Sequence, residues 1–506
     1  MAEKSQFEKL DTKHPDYEEW KDEWTRCRDV VGDALTKETD YLPRGIIETE
    51  EDYILRCKLS QFIPDSVLAV WKILGALYKE KPKREFKGQR EYVEQFLKNS
   101  NRKGKGWNSV VEEIAFNALS YGTTRVLVNV PMVAENKTLS RYEEKVGNVY
   151  PYVINYSPLS VIDWETDDNG FLLMVRVKEE RFVRGEAGGE KSHVKQIKFI
   201  EYDNLESRWW IYRKTDKGQW ELKGTGKNTH GLGMVPMVCL ATKDIKDMIG
   251  DPFIRYSSKS DIQKHQAESD QAYDTYVHAH PILGVWTDDE MKQIGVGASK
   301  FLKLHPGGQG INKEDAKYIS PPQSAFEALR QTILDKKVQI ATHAKMDPMG
   351  VIQPGISAFQ ASGAARAWSF GTSESRVLTK FADFMEQVER AVFELVIRYQ
   401  SKIISNNENA FTGEIQYPEE FDPASTAQLL EERAQISEQI NSPTLLKVID
   451  KRIASSKVGD TSAETLRKIH DEIDKNPLIN TAVGKSGDFF DSPKPSDMYS
   501  DNPKEK

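Results

Sequence analysis

The residue period of this chain changes twice. Between Thr123 and Ala241 the segments TRVLVNV, YPYVINYS, SVIDWET, FLLMVRVKEERFV, VKQIKFIEYD, RWWIYRK and QWELKGT are rich in Val, Ile, Tyr and Trp and alternate at a period of two, while both flanks repeat at helical spacing. A strand pattern set between helical patterns predicts an α+β chain with one sheet region. The turns Asp168-Asn169-Gly170, Glu186-Ala187-Gly188-Gly189 and Thr215-Asp216-Lys217-Gly218 make that sheet antiparallel.

Upstream, Asp65 or Ser66 opens a helix carrying Val67, Val70, Trp71, Leu74, Leu77 and Tyr78, and Lys81-Pro82 ends it. A second helix, Trp107 to Tyr121, uses Val110, Val111, Ile114, Ala115, Ala118 and Leu119, and Gly122 stops it. Downstream, Ile262 to His280 is helical but polar almost all round, so it needs solvent or neighbours of its own kind; a polar face shared between copies in a ring meets that need. An irregular stretch follows from Pro281 to Pro322. A capping box, Ser324 with Glu327, then opens a helix with Phe326, Leu329, Ile333 and Ile340 that runs to about Lys345. Two helices thus flank a small module.

Residues 346–363, MDPMGVIQPGISAFQASG, carry two prolines, three glycines and one charge, Asp347, and cannot be regular helix throughout. A long helix is expected from Arg366 to about Ile404, with Val377, Phe381, Phe384, Val388, Ala391, Leu395 and Tyr399 on one face. Shorter helices fill 422–475, opened by Asp422-Pro423, Ser442-Pro443 and a Thr461 to Glu464 capping box, ahead of a tail whose composition predicts disorder.

At 506 residues the chain exceeds one core and predicts two to four domains. A net charge of -8 argues against a protein that wraps nucleic acid, which needs basic faces. The N-terminus lacks the apolar stretch of a signal peptide, and the run Val67 to Tyr78 is broken by Lys72, so no membrane segment is expected. Cys27, Cys57 and Cys239 are far apart and read as reduced thiols, with no disulfide and no zinc.

The chemistry-bearing motifs are absent or degenerate. Gly295 to Lys300 lacks the spacing and the Ser/Thr of a phosphate loop. His278 and His280 stand about 160° apart on a helix and cannot share an ion, so with His265 they read as ordinary polar residues. Asp163 to Gly170 has a misplaced glycine for a calcium loop, with Met174 where a glutamate is required, and reads as a hairpin turn. No nucleophile elbow is present. We expect no enzyme and no cofactor.

The order of these segments resembles tailed-bacteriophage portal proteins. So do several strings: His14-Pro15-Asp16-Tyr17 with Trp20, Trp24 and Arg28-Asp29-Val30; Tyr41-Leu42-Pro43; Tyr53 and Arg56; Leu74-Gly75 with Tyr78 and Lys81-Pro82; and Ser260-Asp261-Ile262 with His265-Gln266, Ser269-Asp270 and His280-Pro281. The likeness covers residues 14–400 and lies in spaced single residues. It implies a dodecameric ring at a capsid vertex, assembled in the host cytoplasm. Each subunit would have a wing (1–252, with the sheet at 123–241), stem helices at 253–280 and 323–345 around a clip at 281–322, and a tunnel loop at 346–365. A long wing helix with its return would span 366–420, ahead of a crown at 421–475 and a tail at 476–506.

The implied partners are double-stranded DNA in the channel, the terminase packaging motor, the head–tail adaptor and the major capsid protein. Met346, Met349, Val351, Gln353, Phe359 and Gln360 would then line the DNA channel, or else belong to a buried connecting loop. Lys292, Lys300 and Lys303 would dock partners at the clip, or else lie in a solvated loop. The competing readings are another virion component, such as a head–tail adaptor or capsid protein, and an α+β hydrolase or nuclease whose site carries no motif.

Overall fold

The computed structural model describes residues 5–32, 41–131, 143, 147, 149–185, 193–215, 217–278, 282–286, 301–304, 315–319, 323–344, 375–403, 410–418, 433, 443–457 and 463–475. The chain is mixed helix and sheet and divides into two compact units, Met1–Phe421 and Asp422–Lys506.

The first unit opens with helices α1 (Gln6–Leu10), α2 (Pro15–Val31), α3 (Glu50–Leu59), α4 (Asp65–Leu77), α5 (Arg90–Lys98) and α6 (Trp107–Tyr121), with strand β1 (Lys83–Glu85) before α5. All six apolar residues singled out on α6 are buried. Gly122 ends α6 in the left-handed region at φ +76°, and a side chain there would run into the backbone of Gly250 and Asp251.

The alternating region forms two antiparallel sheets. In one, β2 (Val126–Asn129) lies between β3 (Tyr152–Asn155) and β9 (Met237–Val238); the other is a meander of β4 (Val161–Thr166), β5 (Leu172–Arg184), β6 (His193–Tyr202), β7 (Glu206–Lys214) and β8 (Trp220–Thr229). Asp167 to Gly170 makes the β4–β5 turn, where the Asp167 carboxylate accepts the amides of Asn169 and Phe171, so this acidic run is a hairpin. In β8, Gly226 leaves room for the Trp209 indole, which a side chain at 226 would strike.

After the short pair β10 (Asp244–Lys246) and β11 (Ile249–Gly250) come α7 (Arg255–His278), strands β12 (Ile282–Trp286), β13 (Phe301–Leu304) and β14 (Asp315–Ile319), and α8 (Gln323–His343). Because α8 begins at Gln323, Ser324 lies inside its first turn. A cap needs a non-helical backbone, so Ser324 is not the cap the sequence suggested.

Helix α9 (Ser375–Ile403) and strand β15 (Glu414–Gln416, paired with β1) complete the unit. The α9 face is wider than its expected stripe, since Leu378, Ala382, Met385, Val392, Phe393, Val396 and Ile397 are also buried. One continuous core joins α2, α4, α5, α6, both sheets and α9. At its centre the buried Glu389 carboxylate accepts from Arg84 (2.5 and 2.8 Å), Trp107 Nε1 (2.8 Å) and Tyr417 (2.5 Å). The second unit holds α10 (Pro443–Lys457) and α11 (Ala463–Lys475), tied by Lys451 to Asp474 at 2.7 Å.

Candidate functional site

The long helices α7 and α8 pack against each other. They are antiparallel: the Tyr256 ring at the start of α7 lies 6.0 Å from the His343 ring at the end of α8. At 24 residues α7 is about 36 Å long at 1.5 Å per residue. Between the two helices the chain forms a three-stranded sheet in which β12 is central, parallel to β13 (Leu283 opposite Phe301) and antiparallel to β14 (Ile282 opposite Ile319). In sequence this sheet lies between the two helices.

The inner end of α7 is fixed by the turn that delivers it. Gly250 passes the Gly122 carbonyl so closely that no side chain fits, Phe253 donates its amide to Leu119 at 2.9 Å, and Thr242 donates to Gly122 at 2.9 Å. The Arg255 guanidinium lies 4.7 Å over the Trp20 ring, and Arg26 donates to Ser258 at 3.2 Å.

Part of the polarity of α7 is met within the chain. Asp261, Lys264, His265 and Ser269 are all buried against α3 and α4. The Asp261 carboxylate accepts the amides of Asp65 (3.1 Å) and Ser66 (2.9 Å) and the Ser66 hydroxyl, and thereby caps α4, whose own cap position is Pro64 and offers no acceptor. The fully buried Lys264 ammonium donates to Ile63 O and Asp65, each at 2.6 Å, and faces Asp261 at 3.3 Å. Arg56 of α3 reaches Ser269 at 3.5 Å and Asp270 at 3.4 Å. His265 Nε2 meets Ser60 Oγ at 3.3 Å beneath the edge of Phe62. Burial pushes the Asp261 carboxyl above its ordinary range, with Lys264 and the Ser66 donors pulling it back. Burial likewise raises Glu268, opposed by Lys264 and by Lys337 of α8.

These contacts narrow the expectation that the polar helix meets solvent or other copies: Asp261, Lys264, His265 and Ser269 are satisfied within the chain, while Lys259, Gln263 and Tyr276 remain exposed. They also correct the reading of His265 as an ordinary polar residue, because it is fully buried. The signal that could have revealed the anchor was α4 itself: an apolar helix opening after a proline needs an acceptor from elsewhere. Met346, Met349, Val351, Gln353, Phe359, Gln360, Lys292 and Lys300 lie outside the described residues. Lys303 occupies β13 opposite Val285, and its side chain is outside them, as are those of His278 and His280.

All three cysteines are free, and burial pushes the Cys27 thiol up to about 12. Among the described residues no group of three or more His, Cys, Asp or Glu is arranged to hold a metal ion, and no helix is long and apolar enough to cross a membrane. The buried carboxylates Asp261 and Glu389 accept from donors of their own chain, which gives both a structural task.

No family model matches the chain, and no curated protein matches it. Among solved structures, it is similar to a chain of the neck of an empty GTA particle computed with C6 symmetry, at 14% identity and TM-score 0.40, over 85% of this chain and 96% of that one. A chain in the virion of a native gene transfer agent (GTA) particle is 13% identical at TM-score 0.38, over 87% and 98%. A chain in the neck of the native GTA particle computed with C12 symmetry is 13% identical at TM-score 0.39, over 85% and 96%. Overlaps this loose establish no shared fold.

Proposed function

We propose that this chain is a structural subunit of a phage-type virion, specifically the portal: a ring at one capsid vertex that conducts double-stranded DNA during packaging and ejection. One observation carries the reading. The antiparallel helix pair α7 and α8 encloses in sequence a small three-stranded sheet, the order of a stem and its clip. The ring, the stem and the clip are then the places for other copies, the channel wall and the docking of packaging motor and head–tail adaptor, with the major capsid protein around the body. Twelve copies at -8 each would line the channel with a field that repels phosphate, so that DNA slides. In this reading the chain has no catalytic role and needs no cofactor.

The test uses rings of the full chain and rings in which residues 282–319 are replaced by a short Gly/Ser linker. Rings lacking the module should still form yet lose binding to motor and adaptor by at least tenfold. Unchanged binding by such rings would contradict the assignment.

A further inference from the structure

Arg44 to Thr49 form a tight loop before α3 whose two central residues face water completely: Ile46 is 104% and Ile47 is 97% exposed. The loop is held rigidly. The Glu48 amide donates to Gly45 O at 3.2 Å, the Glu48 carboxylate accepts the Gly45 amide at 2.8 Å, and Arg56 clamps that carboxylate at 2.8 and 2.9 Å while also donating to Pro43 O at 2.8 Å. Hydrogen bonds to the Arg56 guanidinium hold the Glu48 carboxyl below its ordinary range. A folded chain that fixes two adjacent isoleucines in solvent presents a preformed anchor, because the ordering cost of binding has already been met.

A matching surface lies on α4. Asp65, Ser66 and Lys72 are the polar residues of this helix, which buries Val67, Val70, Leu74 and Leu77 on one side and leaves Leu68 57% and Trp71 56% exposed on the other. Ile63, 48% exposed, occupies the position just before the cap that pairs with Leu68 across a helix start. Gly75, one turn past Trp71, leaves open space above this face, and Phe116 backs the Trp71 ring at 4.9 Å. An exposed apolar strip on a helix that buries its other side is normally covered.

In sequence the loop stands before α3 and the face beyond it. The signs of charge agree with a contact between chains: beside the loop Arg44 pairs with Glu50 at 2.7 Å and exposed Glu51 adds a negative charge, while exposed Lys72 and Lys79 border the face. Two different patches that complement each other across copies are what a closed ring requires.

We propose that the Ile63, Leu68 and Trp71 face of α4 receives the Ile46–Ile47 loop of a second copy of this chain. The inference deepens the ring reading and rests on it. The test is oxidative cross-linking of Ile47→Cys and Leu68→Cys chains, each also carrying Cys57→Ser, with assembly mass measured on the same samples. A mixture of the two chains, each with one introduced cysteine beside the native Cys27 and Cys239, should cross-link while neither does alone, and a chain carrying both introduced cysteines should give a ladder of linked subunits. Rings that form without such links overturn the surface and leave the ring reading intact; unlinked monomers overturn the surface, and an unlinked stable dimer with no larger species overturns both. Same-site links, 47 to 47 or 68 to 68, also overturn the proposal. As an independent measure, Ile46→Asp with Ile47→Asp should raise the concentration for half-assembly at least tenfold without moving Tm, because neither side chain is packed in the subunit. Unchanged assembly overturns the proposal.

Discussion

Asp261 accepts three hydrogen bonds from the first turn of α4 and faces a fully buried ammonium, so its removal leaves several groups without their partner at once. Asp261→Ala should destabilise the first unit by about 3 kcal/mol, the low end for breaking a buried pair because Lys264 keeps Asp65. Denaturant unfolding followed by tryptophan fluorescence measures it, and the double variant Asp261→Ala, Lys264→Met should recover part of the loss. A cost below about 1 kcal/mol would show that the network does not anchor α7. A second residue links the sheet to pH. His230 Nε2 lies 3.1 Å from Asp203 O and Nδ1 accepts the Leu232 amide at 3.3 Å, a pattern that only the neutral ring with Nε2–H satisfies. Burial lowers its pKa from 6.5, with the Asp203 contacts opposing. The sign follows from that direction: the unfolded chain takes up the proton first, so the contribution of His230 is full above 6.5 and is lost as pH falls below it. Stability measured from pH 7.5 to 5 should fall less steeply for His230→Gln than for the native chain, and parallel curves would exclude His230 as the cause.

Gly122 and Gly250 fix where α6 ends and where the path into α7 begins, and neither tolerates a side chain facing the other's backbone. Gly250→Ala should therefore cost about 3 kcal/mol through overpacking that only backbone movement can relieve, measurable as a lowered unfolding midpoint, whereas Gly170→Ala, at a solvent-facing turn with nothing near its side-chain position, should cost less despite its positive φ of +81°. Equal losses at the two sites would show that conformation, not close approach, sets the cost. Element by element, the helix of α6 with its glycine stop and the alternating strands were legible because their signals are local: period, turn chemistry and a residue able to adopt positive φ. The long α9 was legible for its period, although its buried face is wider than one stripe because the core meets it from more than one side. The role of α7 was not legible. Its Asp261, Lys264 and His265 look alike in sequence whether they meet water, other copies or α3 and α4. Tertiary contact alone distinguishes these fates, and the uncapped start of α4 was the one sequence clue.

At the scale of the molecule, the α+β composition and the helix–module–helix order were open to sequence reasoning because they follow from where the period changes. The channel and clip residues rested on resemblance, and of these Lys303 alone falls on a described strand. If residues 346–363 form a channel loop, its composition, with Asp347 as its one charge, suits sliding contact with a duplex. Deleting Val351 to Phe359 should then leave rings intact while DNA packaging or retention fails, and normal packaging by such rings would assign the segment to a buried connection instead. All of these expectations depend on assembly into a ring, whose interfaces should exceed the roughly 2,000 Å² of obligate contacts. The most direct test is the native mass of the purified chain at micromolar concentration. The account predicts a closed ring of about a dozen 57.7 kDa subunits, alone or in equilibrium with monomer; a stable dimer with no larger species would contradict it.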